Sequence, residues 1–139
     1  MSEEENKALI QRWFDEVWNQ GNSDVIDELL AEDGVIHGLA DATGQPVRGL
    51  KAFHEFHNQF RGAFPDIYVS VDDIIAEGDR VVARCSVRGK HTGEHLGFAA
   101  TNAPIQFGGI AIVRIKDGKI IEAWNQFDFL EMNKQLGVL

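Results

Sequence analysis

A short amide side chain interrupts the apolar face of a predicted strand near the end of the chain. Asn125 lies two residues from Ala123 and two from Phe127, and period-two alternation places all three on one strand face. A buried amide without hydrogen-bond partners costs about 1–3 kcal/mol. Asn125 is therefore either a core residue bonded to backbone or water, or a group that orients a ligand in a pocket.

Three further side chains are candidates for acid–base chemistry. His91 falls on the inner face of its strand and could shuttle protons, although an imidazole bonded to a loop carbonyl explains the same position. His37 alternates with Val35 and is predicted to reach the pocket, with a similar structural alternative. Asp128 alternates onto the face opposite Asn125, which predicts a surface or interface residue unless a bulge turns it inward.

The sequence predicts no metal site. His91 and His95 are four residues apart but are not on a helix, and no third ligand is placed near them. A glycine-rich phosphate loop and a nucleophile elbow are both absent from the sequence. Cys85 lies on an apolar strand face without a cationic neighbour on that face, which predicts an inert thiol.

The order of the predicted elements indicates one α+β domain that spans residues 1–139. A capping box at Ser2 and Glu5 begins the first of three helices, and Ser23 is predicted to cap the second. From Ile67 onward the apolar period changes to two, which predicts strands. We expect a cone-shaped, curved antiparallel sheet with the three N-terminal helices on its apolar face, followed by a short tail over residues 130–139.

The last hairpin determines what lies beside Asn125. A three-residue turn in "IKDGKI" pairs Ile115 with Lys119 and places Gly109 opposite Asn125; a two-residue turn would shift the pairs by one. The small residues Gly109 and Ala111 leave volume unfilled on this face, which predicts a cavity. The predicted pocket residues are Trp13, Phe14, Phe56, Phe107, Gly109, Ala111 and Phe127.

Charge and composition exclude several classes of partner. The formal net charge of −9 opposes binding to nucleic acid and to anionic membrane surfaces. The acidic start "MSEEENK" is unlike a signal peptide, and no apolar run approaches the roughly 18 residues of a membrane span. A single cysteine fits a reducing compartment. We therefore expect a cytoplasmic protein.

Several short motifs, in a fixed order, make the chain similar to one known family. They are "FPD" at 64–66, "EGDRVVAR" at 77–84, the spaced glycines and histidine of "GKHTGEHLGFAAT", "DGKIIEAW", and "QLG" at 135–137. Together they resemble the SnoaL-like polyketide cyclases of the nuclear transport factor 2-like superfamily. The resemblance implies a cone-shaped α+β barrel with an apolar pocket, and cofactor-free ring closure by aldol condensation.

The resemblance also implies three catalytic positions, and none of them holds the side chain that the cyclases use. The cyclase aspartate, which acts as general acid and base, falls on Asn125, the glutamine on Gly109 and the histidine on Ala111. Two functions follow. The first is a lyase or isomerase that acts on a small, largely apolar molecule, with His37, His91 or another acid as the base and Asn125 as an oxyanion donor. The second is a non-catalytic small-molecule-binding protein.

The outer sheet face is predicted to contact other protein. Trp124, Ile110 and Ile112 form an amphipathic patch there, among polar residues such as Arg114 and Gln126. The resemblance implies dimers or tetramers. We therefore expect a homodimer, or a dimer of dimers, formed through this face; a protein-interaction module is a third functional class.

Overall fold

The computed structural model describes residues 2–40 and 44–138 of the chain. These residues form an α+β fold in which helices cover one face of an open, curved six-stranded sheet, so the predicted fold class is confirmed. The helices are α1 (Glu3–Arg12), α2 (Ser23–Leu29), α3 (Gly49–Ala63) and α4 (Phe129–Leu136), with a π-helical segment at Trp13–Asn19. The strands are β1 (Leu30–Ala40), β2 (Pro46–Arg48), β3 (Tyr68–Glu77), β4 (Arg80–Lys90), β5 (Pro104–Lys116) and β6 (Lys119–Phe127).

The first helix begins as predicted and ends differently. The Ser2 side chain accepts a hydrogen bond from the Glu5 main-chain N–H at 3.0 Å, and the Glu5 carboxylate accepts one from Ser2, which completes the capping box. Beyond Arg12 the chain widens into the π-helical segment, whose Trp13, Phe14, Val17 and Trp18 are all buried. Bonding from the Gln20 N–H to the Asp15 carbonyl marks its end. The segment therefore directs three large aromatic rings inward within two turns.

The sheet is mixed, with strand order β2-β1-β6-β5-β4-β3. β3, β4, β5 and β6 form the predicted antiparallel meander. β1 is the exception, because it pairs in parallel with β6. Parallel pairing needs a long crossover connection, which here contains β2, α3 and the three strands of the meander that precede β6.

The register of the last hairpin differs from the prediction by two residues. Asp117 and Gly118 both have positive φ, 53° and 74°, which makes a two-residue turn that pairs Lys116 with Lys119. A bulge beside Arg114 shifts the pairing by one further residue, so that Ala111 faces Asn125. The predicted pairing of Gly109 with Asn125 is wrong. The predicted alternation of each strand survives, because two shifts of one residue restore the same parity.

The predicted C-terminal tail is instead the helix α4. The Asp128 carboxylate caps it by accepting a hydrogen bond from the Glu131 main-chain N–H at 3.0 Å, and Gly137, with φ +74°, ends it. Asp128 is therefore committed to a helix N-terminus, and the idea that it turns inward as an acid is wrong. An aspartate followed three residues later by a glutamate is a helix-start signal that the sequence offered. Residue 139 lies outside the described part of the chain.

Candidate functional site

A cavity lies between the inner face of the sheet and the helices. Its free volume is about 70 Å³, and one side opens to solvent. Aromatic and aliphatic side chains make up most of its wall. It is lined by Trp13, Phe14, Trp18, Ile36, Leu39, Phe53, Phe56, Phe60, Ile67, Val69, Val87, Phe107, Ala111, Val113, Ile120, Ala123, Asn125, Phe127 and Phe129.

Six of the seven predicted pocket residues line this cavity. They are Trp13, Phe14, Phe56, Phe107, Ala111 and Phe127, and Asn125 lines it with them. They come from the π-helical segment, α3, β5 and β6, so the structure brings together positions that are far apart in the sequence. Whether they bind a ligand stays a prediction.

Gly109 is the predicted pocket residue that does not line the cavity. It pairs with Phe127, and the Phe127 ring lies over it so closely that a Cβ at Gly109 would be 2.7 Å from the Phe127 Cα. The volume that glycine leaves open is therefore occupied by the neighbouring side chain. The prediction that Gly109 supplies empty space is wrong.

Among the described lining residues, only Asn125 and the two tryptophans have polar atoms in their side chains. Its Nδ2 donates a hydrogen bond to the His37 main-chain carbonyl at 2.9 Å. The side chain is half-buried, and its Oδ1 accepts no hydrogen bond from the described residues. One edge of the amide is thus bonded to backbone, as the core interpretation predicts, and the other is unpaired among the described residues. That Asn125 orients a ligand stays a prediction.

His37 lies on the outer face of the sheet, so the prediction that it reaches the pocket is wrong. In β1 its neighbour Ile36 lines the cavity, and alternation directs His37 the other way. Its Nε2 lies 2.7 Å from the Glu122 carboxylate, and its ring stacks on Trp124 at 5.7 Å between centroids. His37 contributes only its main-chain carbonyl to the site.

His91 is fully buried but does not line the cavity. Its Nδ1 accepts a hydrogen bond from the Thr101 main-chain N–H at 3.1 Å and lies 3.0 Å from the Thr101 hydroxyl. The ring packs between Phe64 and Phe98, with centroid distances of 5.4 Å and 5.3 Å. These contacts hold the loop that joins β4 to β5, and they do not place His91 beside Asn125.

Other chemistry-bearing groups are dispersed or shielded. In the described part of the chain, no three His, Cys, Asp or Glu side chains are grouped so that they could hold a metal ion. Cys85 is buried, and burial raises the pKa of its thiol to about 12. A thiol with such a high pKa has almost no thiolate at neutral pH, so Cys85 is a poor nucleophile.

Comparison with known proteins decides the family. A family model described as SnoaL-like polyketide cyclase matches residues 8–136. The chain belongs to this family.

Similar proteins match nearly the whole length of the chain. Aklanonic acid methyl ester cyclase DauD of Streptomyces sp. (strain C5) is 28% identical over 131 residues, which cover 93% of this chain and 80% of DauD. IdmH from Streptomyces antibioticus, known from a crystal structure, is 33% identical to this chain in sequence. The two structures match with a TM-score of 0.81, over 96% of this chain and 99% of IdmH. TsrD from Streptomyces laurentii is 25% identical, with a TM-score of 0.86 and coverage of 100% and 99%.

His57 supports one wall of this SnoaL-like cavity, a role that sequence reasoning left undefined. Its Nε2 donates a hydrogen bond to the Val17 main-chain carbonyl at 2.6 Å, at the end of the π-helical segment where helical partners run out. Its ring lies 5.0 Å from Trp18, which lines the cavity. The signal in the sequence was its position four residues after Phe53, on the buried face of α3.

Acid is expected to destabilise this wall through His57. Burial lowers the pKa of His57 below its usual 6.5, so in mildly acidic solution the unfolded chain takes up a proton that the folded ring does not. The His57 contribution is complete above about pH 6.5 and is lost as the pH falls further. His57→Gln keeps an N–H for Val17 but does not titrate. Between pH 8 and pH 5, the free energy of unfolding in urea should therefore fall less for His57→Gln than for the wild type. Equal losses would contradict this role.

Proposed function

We propose that this SnoaL-like protein acts on a small, largely apolar organic molecule by cofactor-free aldol or proton-transfer chemistry, as a lyase or isomerase. The observation that supports the proposal is the aromatic cavity with a single amide in its wall. Burial of apolar ligand surface there is favourable by about 25 cal/mol per Å². The name of the relative DauD, a methyl ester cyclase, agrees with this class of reaction.

The proposed chemistry depends on confinement of the substrate. An aldol ring closure removes a proton from a carbon that lies between two carbonyls. That carbon then bonds to the carbon of another carbonyl in the same molecule, and the resulting alkoxide takes up a proton, so no cofactor is consumed. The aromatic wall would fold a flexible substrate so that the two carbons meet. Asn125 would orient one oxygen of the substrate, because its amide has unpaired hydrogen-bonding positions at the cavity surface.

A non-catalytic binding protein is the second candidate function. The observation that favours it is that no described lining residue carries a side chain that titrates near neutral pH. Asn125 stands where the resemblance places the cyclase aspartate, and an amide cannot take up the proton of a carbon acid. Both candidate functions require ligand binding in the same cavity.

Partner and compartment stay proposals of the same kind. On the outer face of the sheet Ile110 is 45% exposed and Ile112 is 37% exposed, and they pair with Gln126 and Trp124 respectively. We propose that this patch joins two copies of the chain into a homodimer, or a dimer of dimers.

No helix within the described residues is long and apolar enough to cross a membrane. A cytoplasmic location stays a prediction.

Filling the cavity tests the shared requirement. Ala111 is buried in the cavity wall and pairs with Asn125 on the neighbouring strand. Ala111→Leu should therefore occupy ligand space and weaken binding of 2-naphthol by at least about tenfold. The quenching of Trp13 and Trp18 fluorescence measures binding, because both rings line the cavity. Ile112→Leu, on the exposed face of the same strand, is the control and should bind as the wild type does. Unchanged affinity in folded Ala111→Leu would place the ligand elsewhere.

A further inference from the structure

The Asn125 amide has hydrogen-bonding capacity that the described residues leave unused. A carboxamide offers two N–H donors and two carbonyl lone pairs. One N–H donates to the His37 main-chain carbonyl at 2.9 Å, and Oδ1 accepts from no described residue. One donor position and two acceptor positions are therefore open on a group that lines the cavity.

The orientation of the amide is determined by the strand beside it. The His37 carbonyl can only accept, so the NH₂ group must face it and Oδ1 must face away. Gly38 has φ +84°, and a Cβ there would lie 2.8 Å from the main-chain carbonyl carbon of Asn125. Glycine thus permits a close approach of β1 to β6 at this point, which holds the His37 carbonyl against the amide.

The rest of the wall provides neither a second strong polar contact nor a positive charge. Apart from Asn125 and two indole rings, the described lining residues end in hydrocarbon groups. No lysine, arginine or histidine is among them. Transfer of an anion into such a cavity is strongly unfavourable, because nothing balances its charge. A neutral ligand is therefore favoured.

We propose that Asn125 selects neutral ligands that carry a hydroxyl group, phenolic or enolic, on a flat conjugated skeleton. The hydroxyl donates to Oδ1 and accepts from the remaining N–H, which uses both kinds of open position. An ether or ketone oxygen can only accept and leaves Oδ1 unpaired, and a carboxylate adds an unbalanced charge. The many aromatic rings in the wall favour a flat skeleton. This inference rests on the proposed function, since it names the ligand class of the same cavity.

Three naphthalene probes test the selection on the whole chain. Titrations followed by tryptophan fluorescence would compare 2-naphthol, 2-methoxynaphthalene and 2-naphthoate. We expect 2-naphthol to bind about tenfold or more tightly than 2-methoxynaphthalene, with 2-naphthoate the weakest. Asn125→Leu has a similar volume and no acceptor. The ratio of naphthol to methoxynaphthalene affinity should therefore fall about tenfold in that variant, and comparison of ratios cancels the transfer of each probe from water.

The possible outcomes separate this inference from the proposed function. Equal affinity of the wild type for 2-naphthol and 2-methoxynaphthalene overturns the hydroxyl selection while ligand binding stands. Failure of both neutral probes to bind overturns the proposed function itself. A hydroxyl preference that persists in Asn125→Leu overturns the role of Asn125. Asn125→Ala gives the same comparison if the leucine variant does not fold.

Discussion

Replacing Asn125 with aspartate is expected to raise aldol cyclisation of a polyketide β-keto ester, by roughly 10²-fold at most. The wild type should be slow, because its cavity wall offers no side-chain base among the described residues. A carboxylate in the Asn125→Asp variant would lie beside Phe127 and Ala111 and face the His37 carbonyl, which can accept but cannot donate a hydrogen bond. Desolvation raises the pKa of such a carboxylate toward neutrality, where a general base is most effective.

The increase in cyclisation rate should be only partial, because two other positions lack hydrogen-bonding side chains. Ala111 and Gly109 occupy the two positions where the resemblance places side chains that help to position substrate and enolate, and neither can donate a hydrogen bond from its side chain. The Asn125→Asp variant also loses the N–H that the His37 carbonyl accepts. We expect it to unfold with a free energy about 1–3 kcal/mol lower than that of the wild type.

Activity and thermal melts of the wild type, Asn125→Asp and Asn125→Ala would measure both effects. Asn125→Ala is the control, because it removes the same hydrogen bond without supplying a base. A rate that rises only in Asn125→Asp identifies the missing base as the reason for a slow wild type. A wild type that is already fast, with Asn125→Asp no faster, would contradict the prediction and move the base outside the cavity wall.

Gly109→Leu is expected to lower the free energy of unfolding by about 3 kcal/mol or more. Even a Cβ at this position would lie 2.7 Å from the Phe127 Cα, so the backbone of β6 or the Phe127 ring must move. The Phe127 ring is part of the cavity wall, and its displacement should weaken ligand binding as well.

The neighbouring residue gives a matched control for this substitution. Gly108 faces the outer side of the same strand, where a Cβ would meet only the Cys85 main-chain oxygen at 3.4 Å. Gly108→Leu should change the free energy of unfolding by no more than about 1 kcal/mol. Urea unfolding of both variants measures the difference. If Gly109→Leu is as stable as Gly108→Leu, the Phe127 ring does not occupy the space over Gly109.

Strand faces could be predicted where the strands are long, and failed where a strand signal is short. In β5 and β6 many alternating residues define the buried face, so Phe107, Ala111 and Asn125 were assigned correctly even though the register was not. In "GVIHG" the buried face could be the odd-numbered or the even-numbered residues, because each set contains one apolar residue, Val35 or Ile36. The sequence does not distinguish the two. Pairing of β1 with β6 decides it, because that pairing places Ile36 beside Ala123 on the inner face.

The meaning of a small residue also could not be predicted from the sequence. Gly109 and Ala111 look equivalent in the alternation, yet only Ala111 borders the cavity. The difference depends on which partner lies opposite, and therefore on a turn and a bulge that together move the register by two residues. The π-helical segment is a similar case, because nothing in the helical spacing of Trp13, Val17 and Trp18 indicates the wider turn.

The cavity wall is assembled from the two extremes of the fold, which affects the order in which the protein can form. Trp13 belongs to the segment that follows the first helix, whereas Phe129 is the first residue of the last helix. A fragment that lacks either segment lacks part of the wall, and contacts between such distant segments form slowly because a long loop must close first. A ligand that binds in the proposed cavity would bind only the completed fold and would stabilise it in proportion to the logarithm of its concentration. The supply of such a ligand would therefore raise the fraction of chains that are folded.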